Sequence, residues 1–177
     1  MHDLPSAGPA DRSPFGYARL TMPTAIQERH VMSPDPAATS QLGRALAKVA
    51  SPGDVICLWG ELGAGKTHFA KAFGVGLGIA DTITSPSFIL MAEYAGRLPL
   101  FHIDLYRLAD ASDALAGGLV DDRQAAGVTL IEWPERLGPA MPVQRLDVVI
   151  EGSGDDPRSI TLRAHGPSAG RYLEAVA

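Results

Sequence analysis

The sequence has no asparagine, a single cysteine and three lysines, and only 6% of its 177 residues are aromatic. Cys57 cannot form an internal disulfide, so we expect a buried thiol in a reducing compartment. GTPases commonly bind guanine through an Asn-Lys-x-Asp motif, which a chain without asparagine lacks. No apolar run approaches the roughly 18 residues of a membrane span, and no basic start with an apolar segment opens the chain as a secretory signal would. These absences predict a cytoplasmic protein that does not recognise guanine.

Positive charge is also scarce, with 15 basic against 20 acidic residues and a formal net charge of −5. The charge is +1 before Gly53 (5 basic, 4 acidic residues) and −6 from Gly53 onward (10 basic, 16 acidic). Because lysine and arginine supply most of the affinity for phosphate backbones, an acidic domain is a poor independent binder of nucleic acid. We therefore expect no DNA partner, and any RNA to be held through another protein.

The length of the chain and its content of 46% hydrophobic and 20% charged residues are those of one globular domain. Four prolines and no regular periodicity mark residues 1–24 as a flexible N-terminal tail. Residues 25–177 are predicted to form a single domain, with a first strand at about Ala25–Met32.

Strands and helices alternate through this domain, which predicts an α/β fold. A helix is expected from Ser33–Pro36 to Pro52-Gly53, with apolar residues on one face. Asp54–Trp59 has the continuous apolar character of a buried parallel strand. The remaining predicted elements are a helix from Lys66 to about Leu77, strands at Thr82–Thr84, Phe88–Tyr94, Leu98–Asp104 and Val128–Glu132, and a C-terminal hairpin of Leu146–Glu151 with Ser159–Arg163.

The motif between the first buried strand and its helix matches the phosphate-binding loop G-x-x-x-x-G-K-[ST]. It consists of Gly60, Glu61, Leu62, Gly63, Ala64, Gly65, Lys66 and Thr67, and His68 follows it. Glycines let successive N–H groups face phosphate oxygens, and the helix N-terminus adds positive potential. Lys66 is expected to bind the β- and γ-phosphates, and the Thr67 hydroxyl to bind Mg²⁺. The motif predicts a P-loop NTPase-type sheet, mainly parallel and flanked by helices.

Two strand-end carboxylates are candidates for the acidic group that such a site needs for Mg²⁺ or its water. Asp104 ends one apolar strand and Glu132 another. Taken alone, either is more often a solvent-facing carboxylate, and it is the P-loop that favours a role in the site. His102 is expected to be a structural hydrogen-bonding residue, because no second ligand at metal-binding spacing accompanies it.

Two further features have less specific patterns. A turn rich in hydroxyl groups, formed by Thr84, Ser85, Pro86 and Ser87, resembles loops that close over a γ-phosphate, although such a pattern is more often an ordinary turn. Trp133, between Glu132 and a proline, could be a core residue, a surface residue or a partner anchor, and the sequence favours the core.

The order of these motifs resembles one family. The P-loop, Thr84-Ser85-Pro86-Ser87-Phe88, His102-Ile103-Asp104-Leu105-Tyr106-Arg107 and Ile131-Glu132-Trp133-Pro134-Glu135 follow one another as in the bacterial tRNA threonylcarbamoyladenosine biosynthesis ATPases, the TsaE (YjeE) family. The resemblance covers about Ser33 to Ala164.

This resemblance implies a P-loop ATPase that hydrolyses ATP weakly alone and acts with TsaB and TsaD. The assembly modifies adenosine 37 of tRNAs reading codons that begin with A, and hydrolysis would reset it. Thr67 and Glu132 would then be Mg²⁺ ligands, with Asp104 supporting catalysis or the metal's water. Thr84–Ser87 would be switch-like, Arg158 would contact nucleotide, and Trp133 would be functionally sensitive.

The chain departs from the family pattern at His68, where a second Thr or Ser is common, and at Ala111–Gly117, which is poor in glutamate. Two other functions stay open. In a small-molecule P-loop kinase, Arg107, Arg123 and Arg136 would clamp phosphates, although about 100 residues after the loop leave little room for an acceptor pocket and lid. In a non-catalytic ATP-sensing module, the nucleotide would only shape a partner surface.

Overall fold

The structure, a computed structural model, describes residues 26–108 and 122–176. The predicted tail of residues 1–24 and the segment Ala111–Gly117 lie outside the described residues, and so does the side chain of Arg123. Within the described ranges, no helix combines the length and apolarity needed to cross a membrane.

Seven strands form one mixed sheet in the order β1-β7-β6-β2-β5-β4-β3. The four central strands β6, β2, β5 and β4 are parallel, and β3, β7 and β1 run antiparallel to their neighbours. This arrangement confirms the predicted α/β fold with a mainly parallel core and a C-terminal hairpin, β6–β7. The strands are β1 Gln27–Ser33, β2 Asp54–Trp59, β3 Met91–Tyr94, β4 Leu100–Asp104, β5 Val128–Glu132, β6 Arg145–Glu151 and β7 Arg158–His165; the helices are α1 Pro36–Lys48, α2 Lys66–Gly76 and α3 Gly170–Glu174, and short 3₁₀ segments cover Asp122–Ala126, Pro134–Ala140 and Pro167–Ala169.

The main core lies between the sheet and helices α1 and α2. Helix α1 begins where the Asp35 carboxylate accepts a hydrogen bond from the Ala38 N–H at 2.8 Å, an N-cap of the usual kind. Leu42 and Leu46 of α1 and Phe69 of α2 are buried there. A smaller apolar cluster that includes Cys57 and Ile131 covers the other face of the sheet.

Two predicted strand segments were wrong. Thr82–Thr84 lies outside the sheet, and Ile83 packs into the main core instead. The predicted strand Phe88–Tyr94 begins only at Met91. The N–H groups of Ile89 and Leu90 both donate to the carbonyl of Pro86, and Leu90 has a φ of 65°. An apolar run therefore forms a turn here before the edge strand starts.

The parallel register carries the three candidate site segments to one edge of the sheet. Asp104 at the end of β4 pairs with Glu132 at the end of β5, and Glu132 pairs with Leu58 of β2. Since the P-loop follows β2 directly, the loop and both carboxylates emerge at the carboxyl ends of parallel strands, where open α/β sheets bind ligands.

Candidate functional site

The loop from Gly60 to Gly65 joins β2 to α2 with a backbone that other residues could not readily adopt. Gly60 has a φ of 142°, and a Cβ on it would lie 2.4 Å from the carbonyl oxygen of Ile150. Gly63 and Gly65 have φ values of 82° and 111°, in the region that favours glycine. Gly65 is the N-cap of α2, where no side chain caps the helix among the described residues. The first N–H groups of α2 thus face outward as donors for an anion.

The Lys66 side chain folds back over this loop. Its ammonium donates to the carbonyl oxygens of Gly60 at 2.5 Å and Glu61 at 3.0 Å, and it lies 3.7 Å from the ring centroid of Trp133. Burial lowers the pKa of Lys66, and the negative charge of Glu132 is the largest influence opposing that shift. The Lys66 ammonium is therefore a cation fixed at the inner side of the loop.

The Thr67 hydroxyl and the Glu132 carboxylate are in direct contact. Thr67 Oγ1 donates to Glu132 Oε1 at 2.9 Å and lies 3.1 Å from Oε2. These are hard oxygen donors of the kind that Mg²⁺ prefers, and Mg²⁺ usually takes few protein ligands and completes its shell with phosphates and water. In the part of the chain that the structure describes, no group of three or more His, Cys, Asp or Glu residues could hold a metal by itself. The pair fits Mg²⁺ bound together with a phosphate.

Asp104 joins the hydroxyl-rich turn to the end of the sheet. Its Oδ2 accepts a hydrogen bond from Ser85, whose Oγ is also 2.9 Å from that of Ser87. Its Oδ1 accepts from the Tyr106 N–H at 2.9 Å. The turn thus contacts one strand-end carboxylate, while Thr67 contacts the other.

Trp133 follows Glu132 in the left-handed region, with a φ of 60°. Its ring packs against the ring of Tyr106, with 4.9 Å between the two centroids, and the Lys66 ammonium lies above the ring face. Left-handed backbone is costly for a bulky residue and persists only where surrounding contacts hold it. Trp133 is partly buried and forms a wall of the site as well as a contact of the smaller core.

Two cavities lie on either side of the P-loop. The larger, about 430 Å³, is lined by residues from the loop, the hydroxyl-rich turn and the strand ends, including Lys66, Thr67, Ser85, Asp104, Glu132 and Trp133. The other, about 290 Å³, lies between Ser33–Pro36, the β6–β7 turn, Ala64, Gly65 and Arg158. His68 lines both cavities, and its Nε2 lies 2.8 Å from Ser40 Oγ and 2.9 Å from the Pro36 carbonyl oxygen.

Arg158 holds the wall of the smaller cavity together. Its Nε donates to the Ala64 carbonyl oxygen at 2.9 Å, and its two terminal nitrogens donate to the carbonyls of Ser153, Gly154 and Asp156 in the β6–β7 turn. The guanidinium thereby fixes the turn against the P-loop, beside any ligand in that cavity.

The remaining sequence candidates lie at the rim of the larger cavity or outside it. Leu62 is at the loop tip with 72% of its surface exposed, and Arg136 is exposed on the 3₁₀ segment. The Arg107 guanidinium carbon lies 4.3 Å from the Phe88 ring centroid, at the rim of the larger cavity. Of the arginines of the kinase hypothesis whose side chains the structure describes, Arg107 lines the larger cavity and Arg136 does not.

His102 was predicted to be a structural hydrogen-bonding residue, and the structure identifies the partner that the sequence did not, a carboxylate of the site. His102 Nε2 lies 2.9 Å from Glu132 Oε1, and the residue is fully buried. The spacing places His102 on the same face of the sheet as Asp104, two residues further along the strand, but the contact with Glu132 follows from the register between the two strands.

Comparisons with known proteins point to one family. Residues 33–160 match the model of the family "Threonylcarbamoyl adenosine biosynthesis protein TsaE". The tRNA threonylcarbamoyladenosine biosynthesis protein TsaE of Bacillus subtilis is 44% identical over 75% of this chain and 83% of its own length. The Treponema pallidum protein of the same name is 40% identical over 70% of this chain and 92% of its own. The crystal structure of Bacillus subtilis YdiB superposes with a TM-score of 0.65 at 37% identity, covering 86% of this chain and 94% of that one.

Proposed function

This chain belongs to the TsaE family of tRNA threonylcarbamoyladenosine biosynthesis, and from that premise we propose that it is a Mg²⁺-dependent ATPase of that pathway. The observation that carries the proposal is the contact between Thr67 and Glu132 beside the P-loop, 2.9 Å from Oγ1 to Oε1. A hydroxyl and a carboxylate preset at the end of a phosphate-binding loop are the protein's share of a Mg²⁺–nucleotide site.

In this proposal one bound nucleotide extends across both cavities. The phosphates would occupy the larger one, where the N–H groups of the loop and Lys66 meet them. Adenosine would occupy the smaller one, between Arg158, His68 and the Ser33–Pro36 segment. Since the polyphosphate must connect both, His68, which lines both cavities, would lie beside the middle of the ligand. Binding would draw Lys66 from the carbonyls of Gly60 and Glu61 towards the phosphates.

Each residue has a distinct task in hydrolysis. When bound, Mg²⁺ supplies charge neutralisation at the β- and γ-phosphates. Thr67 and Glu132 would hold it, while Asp104 would orient the attacking water or a water of the metal. Ser85 donates a hydrogen bond to Asp104. If the hydroxyl-rich turn moves when the γ-phosphate is lost, this hydrogen bond would change and the Asp104 carboxylate would move with it.

Hydrolysis would reset a complex of TsaB and TsaD between rounds of tRNA modification, with tRNA contacted only through those partners. The net charge of −5 supports this division of labour, because an acidic protein gains little from a phosphate backbone.

Phosphate release tests the proposal. The purified protein is measured alone, with TsaB, with TsaD and with both, at fixed Mg²⁺·ATP. We expect slow release alone and a marked increase with both partners. ADP formed without free phosphate, and only with a small acceptor, would identify a kinase. Tight ATP binding without phosphate release under any of these conditions would identify a sensing module.

A further inference from the structure

His102 is a buried imidazole whose contacts are divided unequally between its two nitrogens. The residue lies in the middle of β4 with 0% of its surface exposed. Its Nε2 lies 2.9 Å from Glu132 Oε1, and its Nδ1 is buried without a hydrogen-bond partner among the described residues. Within the described ranges, the ring is therefore hydrogen-bonded through Nε2 alone, and Nε2 contacts a carboxylate of the nucleotide site.

The sheet register produces this contact. His102 pairs with Leu130 and Asp104 with Glu132 across the parallel strands, so His102 and Glu132 are diagonal neighbours on one face. The imidazole contacts Glu132 Oε1 from the neighbouring strand. The Thr67 hydroxyl contacts the same oxygen from the P-loop side, at 2.9 Å. Glu132 Oε1 is thus held from two directions.

The chemistry of the pair defines the donor. An ionised carboxylate accepts hydrogen bonds and donates none, so the hydrogen of this contact is on His102 Nε2. A neutral imidazole has one N–H, which is used at Glu132, and its Nδ1 is then an acceptor that receives no hydrogen bond among the described residues. Burying an imidazole costs free energy that an apolar side chain of similar volume would not incur, so packing alone does not account for histidine at this position.

We propose that His102 is a positioning residue that holds the Glu132 carboxylate, through the Nε2–H to Oε1 hydrogen bond, in the orientation in which it meets Thr67 and Mg²⁺. The inference rests on the proposed function, since it concerns how the metal ligand of that function is oriented. Partners that orient metal ligands typically change metal affinity by about 10–100-fold when they are removed. His102 is fully buried, and the proposal assigns it no direct contact with nucleotide or metal.

Two substitutions separate the hydrogen bond from the packing. His102→Gln places an amide donor near the position of Nε2, whereas His102→Met fills the space without a donor. Mn²⁺ serves as the probe, and its binding to each variant is measured by electron paramagnetic resonance at saturating ADP. ADP affinity is measured separately in EDTA, and thermal unfolding verifies that each variant is folded.

We expect His102→Met to bind Mn²⁺ about 10–100-fold more weakly than the wild type, with ADP affinity in EDTA within about threefold. His102→Gln should remain within about threefold of the wild type for Mn²⁺. Equal Mn²⁺ affinity in His102→Met and the wild type would overturn the inference and leave the proposed function standing. Equal losses in both variants would also overturn it, because the donor would then not be what matters. A wild type that binds no ADP would overturn the proposed function, and the inference with it.

If His102→Met does not fold, nitrogen-15 NMR of the wild-type histidines tests the inference instead. The inference requires the Nε2–H tautomer at His102, with and without Mg²⁺·ADP. An Nδ1–H tautomer would contradict it, because Nε2 would then have no hydrogen to donate to Glu132.

Discussion

Replacing Glu132 by alanine should separate nucleotide binding from hydrolysis. The substitution leaves the N–H groups of the P-loop and the Lys66 ammonium in place, so ATP should bind within a few-fold of the wild type at low Mg²⁺. The oxygen that Thr67 contacts at 2.9 Å is lost, and with it the arrangement of metal, γ-phosphate and water. Losing one such polar element typically lowers the rate by about 100–1000-fold.

The structure also indicates what the substitution costs in stability. Glu132 is 3% exposed and accepts hydrogen bonds from Thr67 and from the fully buried His102. Thr67 can rotate its hydroxyl, but His102 would keep a buried N–H without an acceptor, at a cost of about 1–3 kcal/mol. Urea unfolding should detect this loss, and rates must be compared well below the lowered melting temperature.

The assay is phosphate release in the presence of TsaB and TsaD, with ATP affinity measured by a fluorescent analogue. Glu135→Ala is the matched control, because Glu135 also carries negative charge near Lys66 but is exposed. The control should retain the wild-type rate within about twofold. If Glu132→Ala turned over ATP as fast as the wild type, Glu132 would not be a metal ligand and the site would need another acid.

Asp104→Ala should likewise bind ATP but fail to support partner-stimulated hydrolysis and tRNA modification, and phosphate release at the wild-type rate would refute its role. Lys66→Ala should abolish binding of a fluorescent ATP analogue, since charge-assisted contacts contribute roughly 1.5–3 kcal/mol each, whereas Lys71→Ala, at an exposed position of the same helix, should bind normally. In competition calorimetry ATP and ADP should bind better than GTP and GDP, and a tenfold preference for guanine nucleotides would count against the assignment. Burial, reinforced by Asp147, raises the pKa of Cys57 from 9.0 to about 12, so the folded state retains a proton that the unfolded state loses; unfolding free energy should therefore fall as the pH rises above about 9, and a Cys57→Ala variant should show a smaller fall.

Sequence patterns predicted the elements that leave a clear signal in their own residues. The apolar strand Asp54–Trp59 and the P-loop after it were predicted with their observed limits, because burial on both faces and a positive-φ glycine loop both leave local signals. The hairpin was predicted in place, although β7 extends to His165. The sequence placed Asp104 and Glu132 at the ends of two strands, and the parallel register brings both to one edge of the sheet.

The errors occurred where tertiary contacts override local preference. Thr82–Thr84 has strand-like composition, but the Ile83 side chain packs into the main core. The segment pairs with no strand among the described residues. Helix α3, which no pattern predicted, is held by Tyr172, whose hydroxyl donates to Asp54 at 2.5 Å across 118 positions of sequence. The contact of His102 with Glu132 was missed for the same reason, because it depends on the register between two strands.

The pairing of β1 with β7 has a consequence for how the chain reaches its folded state. His30 and Thr161, which meet across these strands, are 131 positions apart, and Arg158 contacts the P-loop residue Ala64 from 94 positions downstream. Contacts between such distant segments form late, because a long loop must close before they contribute. During synthesis on the ribosome, the P-loop is therefore made long before the hairpin that encloses the smaller cavity. We expect the nascent chain to acquire full nucleotide affinity only after β7 has emerged, so that nucleotide stabilises the finished fold and does not guide its early stages.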